Sequence, residues 1–343
     1  MRTIITSYHK ISESDPCYIV AEIGSNHNGN FDQACEMIEK AAACGVSAVK
    51  FQTFKASNHY SKKTPNISLY KESIYSLIEK LEIDRSWHVK LAEVCKRYKV
   101  DFLDSPCDTE AIKIAVGVGM PIIKVASFDM VDVRIIDEIS KTGKAVMFSA
   151  GMCKLSEIET AVNICRENNN NDIIILQCTS VYPAPIHISN LNAMETIKKA
   201  FNVITGYSDH TMGDHIACAA VALGAKVIEK HYTLSRKMDG PDHAFAIEPH
   251  ELANMVTKIR DIEASLGDGM KNGPRVEEME FYKNARRSIL SSRDISKGEI
   301  IQDMDIVIKR PGYGIQPSMI NLVVGRMAKV NIEADSPITW EMI

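Results

Sequence analysis

Gly206-Tyr-Ser-Asp-His-Thr211 and Ile228-Glu-Lys-His-Tyr-Thr233 each end a short strand-like run, Asn202–Tyr207 and Lys226–Tyr232. Between them lies Asp214–Gly224, an apolar stretch of small residues that reads as a helix. In a β–α–β unit the two strands are parallel neighbours, and their C-terminal ends open on the same edge of the sheet. The pattern therefore predicts that His210 and His231 face each other across one mouth. Two readings follow. They are ordinary histidines satisfied by hydrogen bonds, or they are two ligands of an open metal site.

Working outward, the same rhythm fills most of the chain. Strand-like runs are expected at Tyr18–Ile23, Ser47–Gln52, Val100–Asp104, Pro121–Ala126, Ala145–Ser149 and Asp172–Cys178. Helical periodicity is expected at Phe31–Cys44, Arg85–Tyr98, Thr109–Val116, Val133–Lys141, Ser156–Asn168, Met194–Ala200 and His250–Leu266. The strands are continuous apolar runs, as when helices cover a parallel sheet. Eight strand–helix units predict an α/β chain closed into a (β/α)8 TIM barrel over 1–266. An open doubly wound sheet is the alternative, but no Gly-x-Gly-x-x-Gly follows the first strand. The stretch from Thr53 to about Ser68 is too long for a plain βα loop and reads as a lid. Residues 267–285 read as a linker, with a charged segment from Val276 that has helical character. Residues 286–343, with short strands and turns, read as a small β-rich domain.

Composition limits the function. The formal net charge is −4, so no overall field draws nucleic acid or a membrane, and an anionic ligand needs local Lys and Arg. The 9 cysteines include no Cys-x-x-Cys pair and sit mostly in apolar runs, which reads as reduced thiols of a cytoplasmic protein. Met1–Ser14 lacks a signal-peptide pattern, and no apolar run approaches the roughly 18 residues of a membrane span.

The strand ends carry the chemistry expected of a barrel. They offer Glu22, Lys50, Gln52, Ser105, Lys124, Ser127, Asp129, Ser149, Thr179, Ser180, Tyr182, Ser208, Asp209, His210 and His231. Lys50 and Lys124 lie inside apolar runs, where an unpaired charge is expensive. Either they snorkel to the rim, or they form an anion pocket with the nearby hydroxyls. An anion pocket beside an open metal site suits the joining of a phosphorylated acid to a carbonyl. His27, His215 and His243 are further candidates. His27 reads as catalytic or turn-stabilising, His215 as structural, and His243 as structural or pocket-lining.

Nine segments in order then carry a resemblance: Ala21-Glu-Ile-Gly-Ser-Asn-His-Asn-Gly29, Val49-Lys-Phe-Gln-Thr53, Lys124-Val-Ala-Ser127, Ser149-Ala-Gly-Met152, Gln177-Cys-Thr-Ser-Val-Tyr-Pro183, Tyr207-Ser-Asp-His210, Glu229-Lys-His231, Gly240-Pro-Asp-His243 and Lys309-Arg-Pro-Gly312. From about Tyr18 to the C-terminus the chain resembles the sialic acid synthase family, the synthases of N-acetylneuraminate, legionaminate and pseudaminate. The resemblance implies a barrel followed by an antifreeze-like (SAF) domain. It implies condensation of phosphoenolpyruvate with an open-chain N-acetylated hexosamine and release of phosphate by C–O cleavage. N-acetylmannosamine is the first choice of acceptor, and the diacetamido-trideoxyhexoses of legionaminate and pseudaminate synthesis are alternatives. The implied cofactor is a divalent metal, Mn2+ first, then Mg2+ or Co2+, held by His210 and His231. Lys50, Gln52, Ser105, Lys124, Ser127, Ser149 and Ser180 resemble the phosphoenolpyruvate pocket. Glu22, Tyr182 and Asp242 match positions that hold the sugar or move protons. Arg310 matches an arginine that reaches the sugar's N-acyl group from a partner subunit, which implies a domain-swapped homodimer. At Ser127-Phe128-Asp129, where many neuraminate synthases read Ser-Gly-Glu, Asp129 keeps a catalytic carboxylate on a shorter stem. Competing readings are a related 3-deoxy-ulosonate synthase, a Schiff-base aldolase and a non-catalytic carbohydrate-binding protein.

Overall fold

A computed structural model describes residues 3–65 and 72–343. It divides into two compact units, Met1–Gly267 and Asp268–Ile343.

The first unit opens with a small antiparallel hairpin, β1 (Ile4–Ile5) and β2 (Lys10–Ile11). Eight parallel strands follow: β3 (Tyr18–Gly24), β4 (Ala48–Thr53), β5 (Asp101–Pro106), β6 (Ile122–Val125), β7 (Ala145–Ser149), β8 (Ile173–Cys178), β9 (Ile204–Asp209) and β10 (Val227–His231). They pair in sequence order and close where β10 meets β3, with His231 opposite Glu22. The TIM barrel is thus present. Its outer helices are α1 (Phe31–Ala43), α2 (Ala56–His59), α3 (Ile74–Lys80), α4 (His88–Tyr98), α5 (Thr109–Gly117), α6 (Val133–Ser140), α7 (Leu155–Glu167), α8 (Ala193–Phe201), α9 (His215–Ala222) and α10 (Pro249–Leu266).

Local chemistry sets these elements. Asn30, Ser73 and Asp108 cap α1, α3 and α5 by accepting from the backbone N–H of Gln33, Ser76 and Ala111. The strands are buried along almost their whole length because helices cover their outer faces and the barrel interior covers the other. Alternation decides which side chains point inward. Val20, Ala48, Leu103, Ile122, Met147, Leu176, Ile204 and Val227 form one interior cluster with Ile4 and Ile11 of the hairpin. Two residues further along several of those strands, the same facing brings Glu22, Lys50, Ser105, Lys124, Ser149, Cys178 and Glu229 to the C-terminal end. Gly206 allows β9 and β10 to close, since a Cβ there would lie 2.2 Å from the Val227 carbonyl oxygen.

Three elements depart from the sequence reading. The hairpin has too few residues to show a periodicity. The stretch expected to be a lid contains α2. Its residues 66–68 lie outside the described residues. The seven-residue α3 is too short for its pattern to stand out. In the second unit come α11 (Met279–Asn284), β11 (Ser288–Ser291), β12 (Ile306–Lys309) and α12 (Ile320–Val323). Beyond the β11–β12 pair, its described pairings are isolated bridges such as Ile295 with Ile332. It has its own core, including Ile289, Ile295, Ile301, Ile315 and Ile338.

Candidate active site

A cavity of about 500 Å³ opens at the C-terminal end of the barrel strands. Of the residues that the family resemblance assigns to the site, all but Arg310 line it, whereas Thr179 and Asp209 from the strand-end set do not. Arg310 is an exposed residue of the second unit, where its Nε donates to the Ala285 carbonyl.

The floor is a buried cluster of charges. Lys50 Nζ lies 2.7 Å from Glu22 Oε2 and 3.7 Å from Glu229 Oε2, and it donates to Ser105 Oγ at 3.1 Å. Lys124 Nζ donates to Ser149 Oγ at 2.7 Å and to the Val125 carbonyl, and lies 3.9 Å from Glu229 Oε1. Both lysines are only 2% exposed, so they are paired within the barrel rather than snorkelling. Gln52 donates to Glu22 Oε1 at 2.6 Å, and Ser208 donates to Glu229 Oε1 at 2.9 Å.

The two carboxylates differ in charge state. Burial pushes Glu22 up to about 7, against the pull of Lys50 and with the added repulsion of Glu229. Burial also works to raise Glu229, but Lys124 and Lys50 outweigh it and hold that carboxyl below its ordinary range. Burial lowers Lys124 despite Glu229. For Lys50, burial is overcome by Glu22 and Glu229, and its ammonium is stabilised. Glu22 is therefore the floor group that changes protonation near neutrality.

The histidine strands meet beside this floor, with ring centroids of His210 and His231 5.3 Å apart. His210 Nδ1 lies 2.8 Å from the Thr179 carbonyl oxygen, which fixes the ring and leaves Nε2 as its other donor atom. His231 Nδ1 is buried without a hydrogen-bond partner among the described residues and lies 3.6 Å from Asp242 Oδ2. Burial, then repulsion from His210 and the lysines, pushes His231 well below its ordinary value, so it stands neutral. Burial raises the Asp242 carboxyl to about 6. Burial works to lower His210, but Cys178 and the Thr179 carbonyl outweigh it and raise it above its ordinary value. A neutral His231 with an orphaned nitrogen facing a carboxylate, beside a second imidazole whose Nδ1 is held by a carbonyl, fits a divalent ion better than a pair satisfied by hydrogen bonds. Tyr182 and Phe245 wall the pair, with centroids 4.3 Å from His210 and 5.1 Å from His231 respectively.

A positioning pair stands behind them. Lys230 Nζ donates to Asp209 Oδ2 and to the Thr211 carbonyl, both at 2.8 Å, tying together the two strands that carry the histidines. On the other side, Gly151 N–H donates to Ser127 Oγ. A Cβ at Gly151 would come within 2.2 Å of Ser180 Oγ, so glycine there keeps the hydroxyl pair open.

Other expectations are corrected or resolved. His243 does not line the cavity; its ring bonds to Thr233 Oγ1 and contacts Asn28 Oδ1 because the turn after Asp242 carries it away. His27 Nδ1 accepts from Gly29 N–H, the turn-stabilising role. Thr179 donates to the Ile188 carbonyl instead of facing the cavity. Sequence reasoning passed over Glu229 as a site residue. Its position two residues before His231, and so on the same face of β10, was the available signal.

The family model described as the NeuB family matches residues 37–271, and that of the SAF domain matches residues 286–343. The chain belongs to the NeuB family. It is 40% identical over 325 residues to the N,N'-diacetyllegionaminic acid synthase of Campylobacter jejuni, covering 92% of this chain and 97% of that protein. It is 32% identical over 336 residues to the pseudaminic acid synthase of Helicobacter pylori, covering 96% and 98%. Among solved structures, the N-acetylneuraminic acid synthetase of Leptospira borgpetersenii, in complex with citrate, matches with a TM-score of 0.75 and 34% identity over 81% of this chain and 94% of that one. The protein is thus an enzyme of the sialic, legionaminic and pseudaminic acid synthase family, with a barrel and a SAF domain. Among the described residues no helix is long and apolar enough to cross a membrane.

Proposed function

We propose that the protein condenses phosphoenolpyruvate with an open-chain N-acetylated hexosamine and water, giving a nonulosonic acid and phosphate. The observation that carries this reading is the buried Lys50–Glu22–Glu229–Lys124 cluster set directly beside the His210–His231 pair. The two lysines, with Gln52 and the hydroxyls of Ser105, Ser127, Ser149 and Ser180, hold the phosphate and carboxylate of phosphoenolpyruvate. His210 and His231 hold a divalent ion, Mn2+ first and Mg2+ or Co2+ as alternatives, which when bound supplies a Lewis acid for the aldehyde oxygen. C3 of phosphoenolpyruvate forms the new bond to the aldehyde carbon, whose oxygen takes up a proton. Water then adds at C2, and the tetrahedral centre loses phosphate as the C2–O bond breaks. Glu22, near neutrality able to hold or release a proton, and Asp242 are placed for these transfers, with Tyr182 against the sugar. Asp129 is assigned the catalytic carboxylate in the cavity.

The acceptor reading favours sugars with fewer hydroxyls. Phe54, Ile74, Leu77, Ile78, Leu81 and Phe128 line the cavity, so methyl and acetamido groups are accommodated there at lower cost than unpaired hydroxyls. This supports a diacetamido-trideoxyhexose over N-acetylmannosamine, the first choice from sequence. Arg310 of a second copy is assigned to the acceptor's acyl group in a domain-swapped homodimer.

Phosphoenolpyruvate labelled with 18O at its bridging oxygen tests the reaction. The label is expected in phosphate; label retained in the organic product would overturn the C–O cleavage. A lowered Lys124 favours a second reading, an imine-forming aldolase. Borohydride inactivation with pyruvate, at a site abolished by Lys124→Arg, would support that reading.

A further inference from the structure

In the cavity a ring nitrogen of His59, Cys107 Sγ and a carboxylate oxygen of Asp129 all lie within 4.8 Å of one another. They come from three elements. His59 ends α2, Cys107 follows β5, and Asp129 sits in the turn after β6. Each is fixed by its own backbone. His59 N–H donates to the Lys55 carbonyl, Cys107 N–H to the Thr53 carbonyl and Asp129 N–H to the Ala126 carbonyl. The His59 ring also stacks on Phe54. The side chains of His59 and Asp129 keep 20% and 23% of their surface exposed, so the cluster is sheltered yet open to small ions. It lies between the main cavity and a smaller one of about 200 Å³, and all three residues line both. The proposed reaction has no use for the thiol.

We propose that His59, Cys107 and Asp129 form a second metal site, separate from the His210–His231 pair, that takes a borderline-soft divalent ion, Zn2+ by preference. One nitrogen, one thiolate and one carboxylate oxygen match the donor types of tetrahedral zinc and leave a fourth position for water. A tetrahedral ion with bonds of about 2.0–2.3 Å holds its ligand atoms about 3.3–3.8 Å apart. The His59 Nδ1–Asp129 Oδ1 distance of 3.9 Å needs only a small contraction. Mg2+ and Ca2+ prefer oxygen ligands and gain little from a thiolate. Binding releases the thiol proton to solvent and forms the metal–sulfur bond, with no change of oxidation state. It also draws the Asp129 carboxylate toward Cys107. On the proposed reaction, zinc here therefore inhibits an enzyme that the histidine pair's metal activates.

The test adds Co2+ stepwise to the metal-free full chain and follows the near-ultraviolet charge-transfer band of a cobalt–thiolate bond. The band is expected in the wild type, displaced by Zn2+, retained in His231→Ala and lost in both Cys107→Ser and His59→Gln. Having two variants on different elements guards against one that fails to fold. Absence of the band in the wild type, or its survival in Cys107→Ser, overturns the site; survival would assign the signal to another cysteine such as Cys178, which lies 3.7 Å from His210 Nδ1. For the inhibitory role, Cys107→Ser is expected to keep metal-activated turnover while resisting zinc. Equal zinc sensitivity in the wild type and this variant refutes the inhibition. Absence of any synthase turnover would refute the proposed reaction and leave the cobalt spectrum to decide the site.

Discussion

Replacing Glu229 with glutamine removes the carboxylate that stands between the two buried lysines. Glu229 lies 3.7 Å from Lys50 and 3.9 Å from Lys124, and its side chain is 7% exposed. At an effective dielectric of about 20, each contact is worth about 4 kcal/mol before desolvation is subtracted. The carboxylate's own desolvation offsets much of that sum. Removing one partner of a buried pair nevertheless leaves uncompensated charge, at a cost of about 3–5 kcal/mol. Burial already lowers Lys124, so loss of Glu229 is expected to drive that lysine toward its neutral form, which caps the cost. Glu229→Gln is thus expected to lower the barrel's unfolding transition by about 6–20 °C in a thermal melt. A bound anion draws the proton back onto Lys124 and no longer meets a carboxylate there, so added sulfate is expected to stabilise the variant more than the wild type. A variant within about 1 kcal/mol of wild type, with unchanged sulfate affinity, would refute this account of the floor.

Other outcomes follow from neighbouring groups. Burial raises Glu22 from 4.5 to about 7, so the folded protein retains a proton that the unfolded chain releases. That contribution to stability is present below about 4.5 and is lost as pH rises toward about 7. Sulfate, whose charge does not change in this range, should bind more weakly as pH rises through 7, and Glu22→Gln should flatten the profile. Lys230→Met leaves Asp209 buried without its ammonium and loosens both histidine strands. Manganese affinity, read by electron paramagnetic resonance, is expected to fall about 10- to 100-fold; unchanged affinity would remove the pair from the site's support. Arg310→Ala and His231→Ala, each impaired alone, should restore turnover when mixed if the site is shared between subunits, and failure to complement argues against the swap.

Much of this architecture was legible from the chain. Continuous apolar strands punctuated by helices gave the barrel, and position at the strands' C-terminal ends put Glu22, Lys50, Lys124 and His231 at one mouth. Sequence could not show that the lysines are matched by carboxylates, because Lys50 meets Glu22 through the β3–β4 register and Glu229 joins them only when β10 closes on β3. The apolar wall was hidden for a related reason. Ile74, Leu77 and Ile78 sit on a seven-residue helix whose role comes from where it packs. His243 stayed open between a structural and a pocket-lining role because a turn, unlike a strand, sets no fixed facing for its side chains.

The central claim is tested most directly by phosphate release from phosphoenolpyruvate with Mn2+. N-acetylmannosamine and the two diacetamido-trideoxyhexoses are run in parallel, each with and without EDTA. The account predicts sugar-dependent release that EDTA abolishes, fastest with a diacetamido-trideoxyhexose. Release that proceeds without any sugar, or undiminished in EDTA, or none with any of the three, would contradict it.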